Sequence, residues 1–201
     1  MTEEQESRQK ILDAAFAEFA DKGFRGATIK SIAQRAELQS PSLIYWYFPT
    51  KEALFQATVE SRSPFTEAIL DPAPVLDRPP DEVLPQLALN YLNFMSRSDI
   101  QKLVRLFLSE VGKRPQLADL VGQGLIEPAL DFLKTYLSHQ VEVGRLRPHD
   151  VRSSARAFMG MLLPQVFSMI FLPRLNADGL TNEIHVQNMI EIYLTGLQAQ
   201  G

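Results

Sequence analysis

Apolar residues recur at steps of three and four along almost the whole chain, and this spacing restricts the possible folds more than any other feature. Near the N-terminus, for example, Ile11, Ala15 and Phe19 form one continuous row on a helix with 3.6 residues per turn. Long stretches of alternating apolar and polar residues, which are typical of half-buried strands, are absent from the sequence. The sequence therefore predicts an all-α protein.

Residues that start and stop helices divide the first sixty positions into four helices. The first covers residues 7–22, and Gly23 provides a left-handed stop after it. Hydroxyl side chains that can accept a backbone hydrogen bond precede the three helices that follow. Thr28, Ser40 and Thr50 are therefore predicted to cap the second, third and fourth helices.

Six further helical segments are predicted in the rest of the chain, at residues 82–96, 99–112, 116–121, 124–143, 150–172 and 181–198. Before them, the segment Asp71–Pro80 contains four prolines and is predicted to be a surface loop without helical structure. Pro64 is expected to kink or end the fourth helix, and Pro164 is expected to bend the penultimate one.

The 201-residue chain has a formal net charge of −4, but the charge is distributed unevenly. The segment Lys22–Lys51 contains five basic residues and one acidic residue, so the remainder of the chain is strongly acidic. This asymmetry is typical of a small anion-binding module joined to a larger acidic body, although a chance fluctuation on a solvated surface explains it equally well. The acidic residues of the first helix, Asp13 and Glu18, are interpreted as solvated surface.

The composition excludes several classes of site. The absence of cysteine excludes disulfides and cysteine-ligated metals, and the three histidines lack the spacing of metal ligands. No nucleophile motif or phosphate-binding glycine loop is present, so neither an enzyme activity nor a cofactor is predicted. The N-terminus is acidic and polar, unlike a signal peptide, and the longest apolar run, Phe158–Leu172, is shorter than the roughly 20 residues that span a bilayer. These features predict a cytoplasmic protein without a membrane segment.

The densest aromatic cluster lies in the predicted third helix, where Tyr45, Trp46 and Tyr47 are consecutive. Large side chains with polar tips suit an element that packs on one side and binds a polar partner on the other. Two short helices joined by a tight turn, after a supporting helix, also follow the helix-turn-helix plan, in which the second helix enters the DNA major groove. Since many all-α proteins contain such a corner, the plan alone is a weak signal.

The amino acids of this region strengthen the helix-turn-helix prediction, because residues 7–55 resemble the DNA-binding domain of TetR-family transcriptional regulators. The matching segments are Ile11–Phe19, Lys22–Phe24, Gly26–Ala33 and Pro41–Leu54. The resemblance implies an N-terminal three-helix helix-turn-helix domain at residues 1–55 and a helical ligand-binding and dimerisation domain at residues 56–201. The match covers about a quarter of the chain. The rest is similar to the family in length, in helicity and in the placement of the last two helices.

The resemblance also implies phosphate contacts for individual residues. The helix start at Thr28 would bind a phosphate, with a purely structural cap as the alternative. Tyr45 and Tyr47 would donate hydrogen bonds to phosphates, with a pair of part-buried tyrosines as the alternative. Lys51 opens the fourth helix, where a positive charge opposes the helix dipole, and a phosphate bound there would remove the conflict.

Base contacts are expected from polar and aromatic residues around the start of the third helix: Gln39, Ser40, Ser42 and Trp46. Glutamine can bind adenine, serine can bind either partner of a base pair, and tryptophan can contact a thymine methyl group. The stretch Glu37–Phe48 is one residue longer than in most family members, so the extra residue lies in the turn or alters the helix start. Leu43 or Ile44, together with Phe48, is expected to face the core.

In the family the larger domain binds a small molecule. The candidate pocket residues are aromatic, methionine and polar residues on predicted inward faces: Tyr91, Phe94, Phe107, Glu110, Tyr136, Phe158, Met161, Gln165 and Met169. Such a lining suits a mostly apolar effector that is held by one or two polar contacts. Ordinary core packing is the alternative for each of these residues, and Glu110 could instead pair with Arg105 or Arg114.

The last two helices resemble the pair through which the family dimerises. The first is expected to present one apolar stripe, Ala155, Met159, Leu162, Val166 and Ile170. The second is expected to present another, Val186, Met189, Ile190, Tyr193, Leu194 and Leu197. Two copies would form a four-helix bundle around a two-fold axis, and the homodimer would read the two half-sites of a palindromic operator in double-stranded DNA.

The sequence therefore predicts a ligand-responsive, sequence-specific DNA-binding transcriptional regulator. It is expected to act as a repressor that a small, mostly apolar effector releases from its operator. One alternative is an architectural or interaction factor of the same fold that binds DNA without a ligand. The other is an enzyme on an all-α scaffold, against which the missing catalytic constellation counts.

Overall fold

The computed structural model describes residues 3–62, 72–112 and 115–197. Its helices are α1 Glu3–Gly26, α2 Ile29–Arg35, α3 Ser42–Tyr47, α4 Lys51–Glu60, α5 Ala73–Leu76, α6 Pro80–Met95, α7 Ser98–Val111, α8 Pro115–Val121, α9 Glu127–Glu142, α10 Val151–Phe171 and α11 Asn182–Thr195. A π-helix, Gly122–Ile126, joins α8 to α9, and a 3-10 helix, Pro173–Asp178, follows α10. No strand occurs in the described ranges, which confirms the predicted all-α class.

The chain forms two compact units, and neither is continuous in sequence. The first comprises Met1–Ser63 and Ser98–Ile126, and the second comprises Pro64–Arg97 and Glu127–Gly201. This division differs from a boundary at residue 55. The reason lies in the packing of the first unit, where α7 lies along α1 while α8 and the π-helix pack against α4.

The core of the first unit is built around three phenylalanines. The ring centroids of Phe19 and Phe24 lie 5.8 Å apart, and the ring of Phe55 meets both of them edge-on. Gly23 makes this possible because its φ of 70° breaks the regular helix of α1 and turns Phe24 back onto the core. The predicted positive φ at Gly23 is confirmed, but it kinks the helix and does not end it, since α1 continues to Gly26.

Glu18 is buried, although the sequence predicted a position on the solvated surface. Only 3% of the residue is exposed, and its carboxylate binds Lys22 Nζ at 2.7 Å and Arg35 Nε at 3.3 Å. Burial alone would raise the pKa of this carboxyl. Hydrogen bonds from Lys22 and Ser31 and the charges of Lys22 and Arg35 outweigh the burial, so the pKa of Glu18 is lowered. The prediction failed because Arg35 reaches Glu18 from α2, seventeen positions away in sequence.

In the second unit, α6 packs against both α10 and α11, and α9 packs against α10. The predicted helices of the later chain are confirmed, with bounds within three residues of those expected. One expectation was wrong, because the segment Asp71–Pro80 contains a single helical turn, Ala73–Leu76. Prolines at the start of a helix cost little, since the N–H they lack has no partner there. Pro64 lies outside the described residues.

Side chains of α9 and the turn after it hold the chain that follows α5. Tyr136 Oη donates to the carbonyl oxygen of Arg78 at 2.8 Å, and Gln140 Nε2 donates to the carbonyl oxygens of Leu76 and Arg78. Arg145 adds a hydrogen bond from its guanidinium to the carbonyl oxygen of Asp77 at 2.8 Å. Tyr136 and Gln140 are fully buried, so these bonds satisfy polar groups that burial would otherwise leave without partners.

Helix α10 is long and apolar enough to cross a bilayer by length and composition alone. A single helix of this kind is weak evidence for a membrane span, because the core helix of a globular protein passes the same test. Ala155, Phe158 and Leu162 of α10 are buried in the second unit, as expected of a core helix.

Candidate functional site

Helix α3 is anchored to the first unit by one side. Ile44 is completely buried and Phe48, which follows the helix, is 4% exposed. Tyr47 is half-buried and packs against the same core. Of the two residues expected to face the core, the structure selects Ile44, whereas Leu43 points outward and is 43% exposed.

The opposite side of α3 presents large side chains to solvent. Tyr45 is 53% exposed and Trp46 is 70% exposed, the largest exposed fraction among the big hydrophobic residues of the described chain. The indole of Trp46 meets the ring of Tyr47 edge-on, with centroids 4.9 Å apart. Since Tyr47 is itself held by the core, this contact limits the orientations available to Trp46.

The connection between α2 and α3 determines how α3 begins. Glu37 adopts a left-handed conformation with φ 55°, which turns the chain directly after α2. Regular helix begins at Ser42, but Pro41 already has helical dihedral angles, and Ser40 Oγ accepts a hydrogen bond from the backbone N–H of Ser42 at 3.3 Å. The cap residue is Pro41, which makes no side-chain hydrogen bond, so the prediction of a cap at Ser40 was wrong: Ser40 contacts the helix start from one residue before the cap. Gln39 lies exposed in the same connection.

Thr28 caps α2 through a reciprocal pair of hydrogen bonds. Its Oγ1 accepts from the backbone N–H of Ser31 at 3.0 Å, and Ser31 Oγ accepts from the backbone N–H of Thr28 at 3.1 Å. The arrangement is the capping box, here with serine in the position of the acidic partner. The predicted cap is confirmed, and the Thr28 hydroxyl has a structural role even without DNA.

Lys51 opens α4 directly after its cap, Thr50, whose Oγ1 accepts from the backbone N–H of Ala53 at 3.0 Å. The ammonium group of Lys51 lies over the ring of Phe24, 4.7 Å from the centroid. A cation above an aromatic face is stabilised by the negative charge density of the ring. The structure thus supplies a partner for the positive charge that the sequence analysis assigned to a phosphate.

The basic segment Lys22–Lys51 is less positive at its surface than its composition suggests. Two of its five bases are engaged by acids of α1, since Lys22 binds Glu18 and Arg35 binds both Glu18 and Asp21. Arg25 and Lys30 are exposed.

The predicted pocket residues do not all belong to one unit. Tyr91, Tyr136, Phe158 and Gln165 are buried in the second unit. Phe94, Met161 and Met169 are half-buried there. Phe107 instead packs against the core of the first unit, because α7 lies along α1. The side chain of Glu110 lies outside the described residues.

Several of the buried candidates already have partners. Tyr136 is occupied by its bond to Arg78, and the ring of Phe158 meets that of Tyr193 edge-on at 5.5 Å. Burial raises the pKa of Tyr91 to about 12, so its phenol is neutral at physiological pH. Gln165 is 6% exposed, and its backbone carbonyl accepts a hydrogen bond from Ser168 Oγ at 2.8 Å.

A concave site lies elsewhere in the second unit. It has a volume of about 560 Å³ and opens on the outer side of α9. Six of its seven lining residues are polar or charged, and none of them is a predicted pocket residue: Leu76, Asp131, Lys134, Thr135, Ser138, His139 and Glu142. No sequence pattern indicated it, because the site depends on α5 lying against α9. Among the described residues, no group of three or more histidine, aspartate or glutamate side chains could hold a metal ion.

The expected position of the apolar stripes at a dimer interface was also wrong. Nearly all of their residues, such as Leu162 and Ile170 in α10 and Val186 and Met189 in α11, are buried inside the second unit. They pack inward because α10 and α11 both pack against α6. A different set of apolar residues on α10, α11 and the segment between them is exposed: Leu163, Phe167, Phe171, Leu172, Leu175, Ile184 and Ile192.

Two protein-family profiles match this chain, and together they cover both units. Residues 11–58 match the profile described as "Bacterial regulatory proteins, tetR family". Residues 82–195, more than half of the chain, match the profile described as "AefR-like transcriptional repressor, C-terminal domain".

Individual proteins give the same picture. The HTH-type transcriptional regulator SrpR of Pseudomonas putida is 26% identical over 164 residues, which are 80% of this chain and 73% of SrpR. UidR of Escherichia coli strain K12 is 28% identical over 127 residues, 63% of this chain and 56% of UidR. Among solved structures, a regulator assigned to the TetR family from Mesorhizobium loti superposes with a TM-score of 0.77 at 23% identity, over 99% of this chain and 100% of the other. At that identity the likeness concerns the fold.

Proposed function

Because the chain belongs to the TetR family of bacterial transcriptional regulators, we propose that it is a cytoplasmic repressor that a small, mostly apolar effector releases from its operator. The observation that carries the DNA-binding part is the division of α3 into two sides. Ile44 holds the helix in the first unit, while Tyr45 and Trp46 are exposed on the opposite side. A helix anchored in this way can enter the major groove without unfolding its own domain.

Phosphate contacts would position α3 in the groove. We assign them to the start of α2 at Thr28, to the phenols of Tyr45 and Tyr47, and to Lys51. Backbone N–H groups, phenols and ammonium groups are all common phosphate donors. Lys51 would move from the ring of Phe24 to a phosphate, or contact both. Gln39, Ser40, Ser42 and Trp46 are the proposed base contacts.

Dimerisation would bring two α3 helices onto neighbouring half-sites, roughly 34–36 Å apart along B-DNA. The exposed apolar surface of the second unit supports this proposal. Leu163, Phe167 and Phe171 are spaced four residues apart on α10, and the rings of Phe167 and Phe171 lie 4.9 Å apart. Ile192 adds an exposed apolar side chain on α11. A contiguous apolar surface of this kind is typical of a protein interface, and a second copy of the chain is the proposed partner.

The effector would bind within the second unit. The buried aromatics Tyr91 and Phe158 and the half-buried Met161 and Met169 would contact its apolar part. Gln165 is the proposed polar anchor, because its buried side-chain amide can both donate a hydrogen bond to and accept one from a polar group of a ligand. An effector that prefers a different packing of these helices would shift the dimer away from the DNA-binding spacing.

The DNA-binding proposal can be tested with purified protein and labelled fragments from its own promoter region at low salt. We expect binding by the wild-type chain and much weaker binding by Trp46→Ala, since the indole is the most exposed large group of α3. Val143→Ala is a matched control, because Val143 is an exposed apolar residue outside the first unit and outside the proposed dimer surface. Absence of binding to any fragment would overturn the proposal. Binding that no small molecule reverses would favour the ligand-independent factor instead.

A further inference from the structure

The outward side of α3 carries two large side chains that are mostly apolar. Leu43 and Trp46 are both well exposed, although Ile44 beside them is completely buried. Residues three positions apart on a helix lie on the same side, with Cβ atoms about 5–6 Å apart. Leu43 and Trp46 therefore form one apolar patch on the side of α3 that would face DNA.

The two serines at the start of α3 are already engaged with each other. Their Oγ atoms lie 2.7 Å apart, so one hydroxyl donates its hydrogen to the other. Ser40 Oγ also accepts the hydrogen bond from the backbone N–H of Ser42. A base that bound either hydroxyl would compete with bonds that fix the start of the helix. This arrangement leaves the apolar patch as the better-placed reader of base identity.

We infer that Leu43 and Trp46 read thymine methyl groups in the operator, given that α3 enters the major groove as proposed above. The C5 methyl of thymine is the apolar group that a base pair presents in that groove. A leucine side chain cannot hydrogen-bond to a base edge, so burial against this methyl is the favourable contact open to it.

The geometry of the helix limits where these thymines lie. Base pairs stack about 3.4 Å apart, so side chains whose Cβ atoms are about 5–6 Å apart reach methyl groups one or two steps apart. Each operator half-site is therefore expected to carry two thymines within two base-pair steps, on either strand. Leu43 would contact one of the methyl groups and Trp46 the other.

The test uses the full chain and an operator that it selects from a pool of random DNA. Each thymine is replaced in turn by deoxyuridine, which removes the methyl group and leaves the hydrogen-bonding groups unchanged. Removing one buried methyl group should weaken binding about fourfold at each of two positions. We call this loss of affinity on thymine replacement the uracil response. The Leu43→Ala variant should show no uracil response at one of the two positions, and the Trp46→Ala variant should show none at the other.

Leu108 provides a matched control, because it is 45% exposed in α7 of the same unit. Leu108→Ala should keep both uracil responses, and Leu43→Met should keep most of the response because methionine has similar apolar reach. Circular dichroism of each variant checks that the helices are intact.

Equal uracil responses in the wild type and in Leu43→Ala would overturn the assignment. A change of base preference in Ser42→Ala with none in Leu43→Ala would overturn it as well. If the wild-type chain selects no DNA at all, the proposed function fails, and the assignment of Leu43 fails with it.

Discussion

Helices α3 and α10 both expose large apolar side chains, but the chemistry of those side chains differs. On α3 the exposed aromatic residues, Tyr45 and Trp46, each carry a polar tip. On α10 the exposed residues Leu163, Phe167 and Phe171 carry none. Groups with polar tips suit a wet, charged partner such as DNA, whereas purely hydrocarbon groups suit a dry protein interface. The two exposed surfaces therefore indicate two kinds of partner.

The largest effect of a substitution on stability is expected inside α3 itself, where one residue is buried and its neighbour is exposed. Ile44→Ala should lower the free energy of unfolding by about 2–5 kcal/mol, since it leaves a cavity in the core of the first unit. Leu43→Ala should change it by about 0.5 kcal/mol or less, because its side chain is exposed. Urea unfolding followed by circular dichroism measures both values. Similar losses in the two variants would contradict the two-sided description of α3.

On α10 the corresponding test concerns self-association. Phe167→Glu places a charge in the middle of the exposed apolar row, so the dimer should be weakened by about 2 kcal/mol or more, or roughly thirtyfold in dissociation constant. Sedimentation equilibrium measures the change. Gln86→Glu adds the same charge at an exposed position of α6, outside the exposed apolar set, and should have little effect. A monomeric wild-type protein, or an unaffected Phe167→Glu dimer, would require a different partner for this surface.

The two helices also show what could be predicted from the sequence. Caps depend on neighbouring residues, so the caps at Thr28 and Thr50 could be predicted from the sequence. The inward side of α3 was narrowed to Leu43 or Ile44, because a six-residue helix offers too few positions to fix its phase. Helix α10 is apolar on several sides, so the spacing of its residues could not show which row packs against α6.

Long-range partners account for the other errors. The burial of Glu18 depends on Arg35 from α2, and the position of Phe107 depends on α7 lying along α1. Neither contact leaves a mark in the local pattern of residues. For the same reason the charge count of the segment Lys22–Lys51, although correct, did not show that Lys22 and Arg35 pair with acids that precede the segment in the sequence.

The ion pairs of Glu18 support the scaffold on which α3 is presented, and their effect depends on pH. Because the pKa of Glu18 is lowered in the folded chain, its carboxylate stabilises the fold above the unfolded carboxyl pKa of about 4.3. This stabilisation is lost as the pH falls through the lowered pKa of the folded state. Glu18→Gln should reduce the free energy of unfolding at pH 7 by about 1.5–3 kcal/mol and flatten its dependence on pH below 5. Unfolding curves between pH 3 and 7 measure the effect, with the exposed Glu52→Gln as the control. A full pH dependence retained in Glu18→Gln would show that other carboxylates produce it.

The smallest expected effect concerns the polar tip that distinguishes α3 from α10. Tyr45→Phe removes only the phenol oxygen, so it should weaken DNA binding by about 0.5–1.5 kcal/mol, the value of one hydrogen bond, and equally for all sequences. Lys51→Ala should also weaken binding to all DNA sequences alike. In addition, it should reduce the slope of log affinity against log salt concentration by about one, because one fewer counterion is released. Titrations of operator and unrelated DNA at several salt concentrations separate the two effects. Phe48 cannot serve as the control because it is buried, but Glu52→Gln at the exposed start of α4 can, and it should leave the slope nearly unchanged. If Tyr45→Phe changed the preference at a single base pair, Tyr45 would read bases rather than phosphates. The polar tips of α3 would then contribute to specificity together with the apolar patch of Leu43 and Trp46.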